Sequence, residues 1–395
     1  MTDAEGPTRL PLTRRERLQR RLRRQVRTAG RDTMLALVLA GALLVALQTS
    51  GVLDEGVAAA APTDTTSEDV VFSAVMVGDL MFGRHVEEVT ERYGQDHVLA
   101  DVAPLLDADY VTGNLEQVIT DRSDELPEAD KLIHLSSGSP TAQALAEAGF
   151  TTLALANNHL MDHGIPGLRD TLAALDAAGL AYAGAGATLD DATRIDYQEH
   201  GGVRVATLAF SDAYVVGFVA RAFQGGVLSA EEQRASRLIR EADANADLVI
   251  THFHWGTEYG FAPTRQQRDL AEMAAASGAD IVIGHHPHVL QSVERIDDTL
   301  VLYSLGNFVF DQGWSRTRES TLVRYELGAD GRARVSFVPI VIREGTPRVA
   351  AGLLGPYRRA RIFDRLRGPD LPWERHDDVL VTELDHRHVA GTAAP

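Results

Sequence analysis

Leu248-Val-Ile-Thr-His-Phe-His254 and Asp280-Ile-Val-Ile-Gly-His-His-Pro-His288 are the two stretches on which the reading of this chain turns. Each opens as a short run of branched aliphatic residues and closes in imidazoles. Such runs read as buried strands, and open α/β sheets bind ligands at the C-terminal ends of their strands. Five of the chain's 14 histidines lie in these two segments. Imidazole is the commonest metal-ligating side chain. Bunching at two strand ends therefore points to metal chemistry rather than to scattered core or surface histidines.

Other strand ends extend the pattern. Val70–Val77 runs into Gly78-Asp79, Tyr110–Thr112 into Gly113-Asn114-Leu-Glu116, and Thr151–Ala156 into Asn157-Asn158-His159. Val203–Phe210 and Leu300–Ser304 are further strand candidates. Taken singly, each motif has a bland reading: Gly-Asp after a strand is a common turn, and Asn-Asn-His can satisfy its own backbone. In series they form the ligand inventory of a site for one or two divalent ions. Carboxylate and amide oxygens suit Mn and Fe, and imidazole suits Zn and Fe. A carboxylate bridging two cations would lower the pKa of a bound water. A histidine beside the metals, but not on them, could protonate a leaving oxygen.

Helical segments alternate with these strands. Ser139-Pro140 places proline at a first helical position. Ser229 with Glu232, and Thr264 with Gln267, fit the capping box. After Ser304 the pattern changes: Thr321–Leu327 and Arg334–Ile342 alternate like antiparallel strands joined at Ala329-Asp-Gly331. The mixture predicts an α/β fold built as a two-sheet sandwich flanked by helices.

Composition narrows the chemistry. The chain has 395 residues and no cysteine, so thiolate ligands and disulfides are excluded. Residues 1–32 hold ten Arg against Asp3, Glu5, Glu16 and Asp32, a net +6; the remainder carries −18 − 6 = −24. The basic segment is followed at once by Met34–Leu47, wholly apolar, and with residues to 53 it reaches the ~20 residues that span a hydrocarbon core. This argues for a membrane partner and against nucleic acid. Positive charge before the span keeps the N-terminus in the cytoplasm and the body outside the cell. A cleaved signal peptide, ending near Ala58–Ala61, is the competing reading. The expected organisation is a basic cytoplasmic segment at 1–32, a signal-anchor helix at 33–53 and a linker at 54–68. A metal-site domain follows at 69–355, and a partly ordered tail at 356–395.

The motifs Gly78-Asp-Leu-Met-Phe-Gly-Arg84, Gly113-Asn-Leu-Glu116, Leu155-Ala-Asn-Asn-His159, His254-Trp-Gly256 with Glu258-Tyr259, Gly284-His-His-Pro-His288 and Ser304-Leu-Gly-Asn-Phe308 together resemble one family. It is the CapA (PgsA) family of poly-γ-glutamate capsule synthesis proteins, within the calcineurin-like metallophosphoesterases. The resemblance runs from about Val70 to Asp311 and implies a four-layer αββα metallophosphatase-like sandwich. By the same resemblance Asp79 is the first-strand metal aspartate, Asn158 the metal-binding asparagine and His159 the adjacent catalytic histidine. His252 or His254 fills the next ligand slot, and His286 with His288 forms the closing pair, His285 being the alternate. Two departures stand out. Met81 occupies the usual histidine position, and Asn114 stands where a bridging aspartate is usual, leaving Glu116 as the nearby carboxylate. Arg84, Trp255, Glu258 and Tyr259 are expected to line the substrate pocket, with Asn307 and Asp311 orienting ligands.

Three functions follow from these expectations. The first is a role in synthesis, export or anchoring of an anionic capsule polymer, beside a membrane synthase or exporter. The second is an independent extracellular metallophosphoesterase acting on phosphate esters. The third is a non-catalytic partner with a relic site. A domain carrying −24 repels a polyanion over a Debye length of about 8 Å, so polymer contact is expected to be local, through metal or Arg84.

Overall fold

The computed structural model describes residues 14–15, 33–43, 70–215, 217–313 and 316–390. The chain divides into two units, Met1–Glu55 and Gly56–Pro395. In the first, residues 33–43 are helical and exposed. No described helix is long and apolar enough to cross a membrane. The rest of the expected span at 44–53, nearly all of the basic segment, and the linker at 54–68 lie outside the described residues.

The second unit is built on two mixed sheets. In the larger, β1 (Val70–Leu80), β2 (Tyr110–Leu115), β3 (Thr152–Ala154) and β4 (Ala181–Ala183) run parallel. The smaller sheet has β5 (Asp196–His200), β6 (Val203–Ser211), β7 (Leu248–His254), β8 (Ile281–His285), β9 (Val293–Ile296) and β10 (Thr299–Leu302). Its four central strands, in the order β10-β8-β7-β6, are parallel, and β9 and β5 close its edges antiparallel. After β10 the chain returns to the first sheet through β11 (Asn307–Val309), which pairs parallel with β1. Antiparallel strands β12 (Glu319–Gly328) and β13 (Arg332–Arg343) then extend that sheet, with β14 (Thr346–Val349) on β13.

Side-chain alternation along each strand makes the layers. On β1, Phe72, Ala74 and Met76 face the smaller sheet and pack with Val205, Ile250 and Ile283; Val75 and Val77 face the opposite way. Each fully buried Ile or Leu in this inter-sheet layer contributes roughly 1.5–3 kcal/mol. Outside the larger sheet lie α1 (His85–Tyr93), α2 (Pro140–Glu147) and α3 (Gly164–Ala178), the last two burying Leu145, Leu168 and Leu175 against Val111 and Leu153. Outside the smaller sheet, α4 (Glu232–Asp243) and α5 (Arg265–Ala276) pack Leu238, Ile239 and Leu270 on Val249 and Val282. The result is helices, sheet, sheet, helices.

Local signals are realised unevenly. Thr264 and Gln267 make a reciprocal capping box on α5. Ser229 caps nothing, because α4 begins only at Glu232, preceded by Glu231 with no side-chain cap. The tail differs most from expectation. Residues 356–395 were expected to be partly ordered, yet α6 (Gly355–Leu366), β15 (Glu374–His376) and β16 (Val379–Asp385) are regular elements, and β16 pairs with β13 over six residue pairs. The physical reason is burial on both faces: Val379 and Val381 pack into one core cluster and Leu380 and Leu384 into the other, in a segment whose charged flanks mask a strand.

Candidate metal centre

Register brings the two sheets' strand ends to one place. Asp79 on β1 sits level with Asn114 on β2 and Asn307 on β11. On the other sheet, His254 of β7 is level with His285 of β8. The approach of β11 to β1 demands a glycine: a Cβ on Gly78 would lie 1.9 Å from the Gly306 carbonyl oxygen. Without that contact Asn307 would not reach the site.

Asp79 and Glu116, both fully buried, are the acidic core. Asp79 Oδ1 accepts from Asn114 Nδ2 at 2.9 Å and meets His285 Nδ1 at 3.1 Å, while Oδ2 lies 3.3 Å from His288 Nδ1. Glu116 Oε1 lies 3.6 Å from His254 Nε2 and 3.7 Å from His288 Nε2, too far for hydrogen bonds. Glu116 Oε1 and His286 Nδ1 are buried polar atoms without a hydrogen-bond partner. Orphaned buried acceptors cost about 1–3 kcal/mol each, more when charged, so such atoms need an occupant.

Among the described residues, two groups can hold a cation: Asp79, Glu116 and His254, and Glu116, His286 and His288, with ligand atoms in each group within 4.8 Å of one another. Glu116 is the shared corner. Electrostatics agree with a missing positive charge. Burial pushes His254 well below its ordinary pKa, and His286 adds repulsion. Burial, with His288, takes His286 down to about 3. Burial lifts Glu116 well above the usual carboxylate range, and neighbouring Asp79 adds to it against the pull of His288. Burial opposes ionisation of Asp79 too, but His285 and His288 hold it well below its usual value. His288 resists its own burial because Glu116 and Asp79 raise it to about 9. Neutral His254 and His286 with the dry carboxylates form a donor set that suits a divalent transition ion, which would take the place of the proton that Glu116 and Asp79 hold on His288.

The loop carrying the last histidines is strained. His286 and His288 both have positive φ, as do Arg84 and Tyr259 at the rim, four of the seven such non-glycine residues among the described residues. Such outliers cost about 1–3 kcal/mol each and persist where the surroundings over-determine them. His288 is fixed by Asn307 Oδ1, 2.8 Å from its Nδ1.

Beside the cluster, Asn158 Oδ1 lies 3.0 Å from His254 Nε2. His159 Nδ1 meets Asp162 Oδ2 at 2.7 Å and Lys131 Nζ at 3.0 Å. Lys131 also pairs with Asp162 Oδ1 at 2.6 Å and donates to the Asn158 carbonyl at 2.8 Å. Burial lowers the His159 pKa despite Asp162, with Lys131 contributing in the same direction.

A family model described as "Bacterial capsule synthesis protein PGA_cap" matches residues 73–312. The chain belongs to that family. It is 44% identical over 328 residues to the capsule biosynthesis protein CapA of Bacillus anthracis, covering 82% of this chain and 80% of that one. It is 39% identical over 374 residues to the PGA biosynthesis protein CapA of Bacillus subtilis (strain 168), covering 94% and 96%. Among solved structures, the calcineurin-like phosphoesterase YfkN from Bacillus subtilis aligns at 13% identity with a TM-score of 0.34, over 75% of this chain and 97% of that chain.

Within this family member, the geometry sorts the residues singled out by sequence. Asp79, Glu116, His254, His286 and His288 converge, with Asn158 at the edge and His159 beside them. His252 does not converge. Its Nε2 contacts Thr112 Oγ1 at 3.1 Å and its Nδ1 contacts His285 Nε2 at 3.0 Å. It buttresses His285, which in turn holds Asp79. Trp255 is a correction: it is fully buried, stacked between Phe253 and Tyr303, and donates its indole N–H to the Tyr303 carbonyl. Backbone alternation puts it on the helix side, opposite His254. Arg84 is paired with Asp311 over the Phe310 ring, which lies 4.9 Å from His288. Glu258 is exposed and acts on Glu116 only through charge. Tyr259, 46% exposed, has its ring 6.3 Å from His288. Sequence reasoning missed Lys131, although a signal was present: it is the only lysine among 38 basic residues.

Proposed function

We propose that this chain acts in building an extracellular poly-γ-glutamate-type capsule polymer, as an outward-facing protein held at the membrane by its N-terminal segment, beside a polymer synthase or exporter. The observation that carries the reading is 44% and 39% identity, over 82% and 94% of this chain, to two capsule biosynthesis relatives, combined with an assembled, buried donor cluster. In that reading Asp79, Glu116, His254, His286 and His288 hold one or two divalent ions (Mn, Fe or Zn), with Asn158 supplying an amide oxygen. Held by these residues, a divalent ion would supply Lewis acidity and would lower the pKa of a water bound beside it. His159, donating Nδ1–H to Asp162, whose other oxygen pairs with Lys131, keeps Nε2 for moving a proton to or from the substrate. Buried Trp255 and the inter-sheet core keep the cluster rigid. The membrane placement rests on the arginine-rich segment before Met34–Leu47.

The test is complementation of a deletion strain. The parent chain should restore surface polymer, and His286→Ala, expressed to the same level, should not. Protease added to the intact cells should digest residues beyond about 54 and spare an N-terminal tag. Polymer made at the parental amount without this chain would overturn the reading.

A further inference from the structure

A chain of net charge −18 carries a basic stretch in its C-terminal part. Between Arg343 and Arg367 there are seven arginines against Glu344 and Asp364, a net of +5 in 25 residues. Folding concentrates it further. Arg361 pairs with Glu319 at 3.2 Å, and Arg316, Arg358 and Arg365 also act on that one carboxylate. Burial takes the Arg343 guanidinium down to about 10, and Arg358 and Arg348 add repulsion. Arg348 pairs with Asp101 at 3.0 Å and buried Arg359 with Asp378 at 2.8 Å, so the exposed basic face is the part built from Arg316, Arg361 and Arg365 around Glu319.

This surface is joined to the metal cluster through side chains. The Tyr259 ring faces His288, and its hydroxyl accepts from Gln312 Nε2 at 3.4 Å. Two residues on, the Phe261 ring is shared by Arg316 and Arg365, each with its guanidinium carbon 4.5 Å from the ring centre. Cation–π stacking holds a guanidinium in place while its in-plane N–H edges stay free to grip carboxylates in pairs. Arg316 and Arg365 are exposed, and Arg361 lies over the exposed Tyr357 ring at 5.6 Å. The order is therefore His288, Tyr259, Phe261 with its two arginines, then Arg361 and Glu319.

We propose that Arg316, Arg365 and Arg361 form a docking track for a polycarboxylate chain, leading it toward the candidate cation site. The inference rests on the capsule-polymer reading and deepens it, because it assigns where the polymer lies. Charge complementarity decides the occupant. A polyanion is repelled by most of this surface, so a local strip of bidentate donors fixes its register. Exposed Leu353, Leu354 and Tyr357 near the track make an anionic lipid surface the rival occupant.

The experiment uses the full-length chain in neutral detergent and fluorescein-labelled poly-γ-glutamate as probe. Arg316→Gln with Arg365→Gln should raise Kd roughly tenfold or more and flatten its salt dependence. Arg332→Gln, at a surface ion pair elsewhere, should leave both unchanged. Should the double glutamine variant fail to fold, Arg316→Lys with Arg365→Lys keeps the charge, loses the paired geometry, and should fall between. Equal binding by parent and track variants, or no polymer binding by the parent, overturns the track. So does track-dependent binding to phosphatidylglycerol vesicles without polymer binding. Each of these results leaves the complementation experiment unaffected, so loss of the track and loss of the capsule reading are separate outcomes.

Discussion

Lys131 shows how much a single residue reveals once composition is taken as background. Every other residue among the 38 lysines and arginines is arginine, so an ammonium is kept where two acceptors converge, Asp162 and the Asn158 carbonyl, with His159 beside them. A compact ammonium with rotatable donors meets such partners better than a planar fork does. Lys131→Met leaves Asp162, which is fully buried, without its cation and should cost about 1–3 kcal/mol, discounted because Lys131 is partly solvated. Lys131→Arg should recover part of that loss, and both variants should keep their metal. Thermal melts with metal analysis check this; an unshifted Lys131→Met melt would remove the proposed role. Two other residues show what could and could not be read. His252 and His254 share one strand face, and Phe253 and Trp255 the other, so period-two alternation alone predicts a buried Trp255. The same alternation cannot separate His252 from His254. That distinction depends on how far the strand end projects past the facing sheet, a tertiary fact.

Elements were legible where local pattern and tertiary burial agreed. The strands feeding the site and the capped α5 follow from apolar runs and turn residues. The C-terminal elements did not, because their helix is arginine-rich and their strands are short and charged at the ends. One ion pair helps to dock them: His388 Nε2 lies 2.7 Å from Asp280 Oδ1, on the segment leading into β8. The hydrogen bond to Asp280 raises the His388 pKa against partial burial, with Asp298 and Asp243 adding to it. Neighbouring His386 is lowered by burial and favours the neutral form. A raised folded pKa means that the His388 contribution is fully present below the unfolded value near 6.5 and is lost as pH rises through the folded value. His388→Gln should therefore lower the melting temperature at pH 5.5 and make little difference at pH 8.5. His388 is half exposed, so the effect belongs with surface pairs worth about 0–1 kcal/mol. A larger loss at pH 8.5 than at 5.5 would reverse the assignment.

At the scale of the whole molecule, two sheets meet face to face and each contributes half of one donor set: Asp79 and Glu116 from the first, His254, His286 and His288 from the second. Neither sheet alone assembles a candidate cation site, so an ion held there would bind only the folded arrangement. Linkage would then make it a stabiliser of the sandwich itself, by about 2.7 kcal/mol at a free concentration one hundred times Kd. Removing metal with a chelator should lower the melting temperature of the full-length chain, and restoring Mn, Fe or Zn should raise it again. Glu116→Gln tests the architecture most directly, because Glu116 belongs to both candidate groups. The variant keeps the shape and removes the one carboxylate that both ions would share, so chelator should shift its melting temperature far less than it shifts the parent's. The metal-free Glu116→Gln protein should also melt no lower than the metal-free parent, since its amide relieves the repulsion that burial and Asp79 impose on the carboxylate. An equal chelator shift in the two proteins would mean that the ion sits away from Glu116 and that the sheets meet there for packing alone.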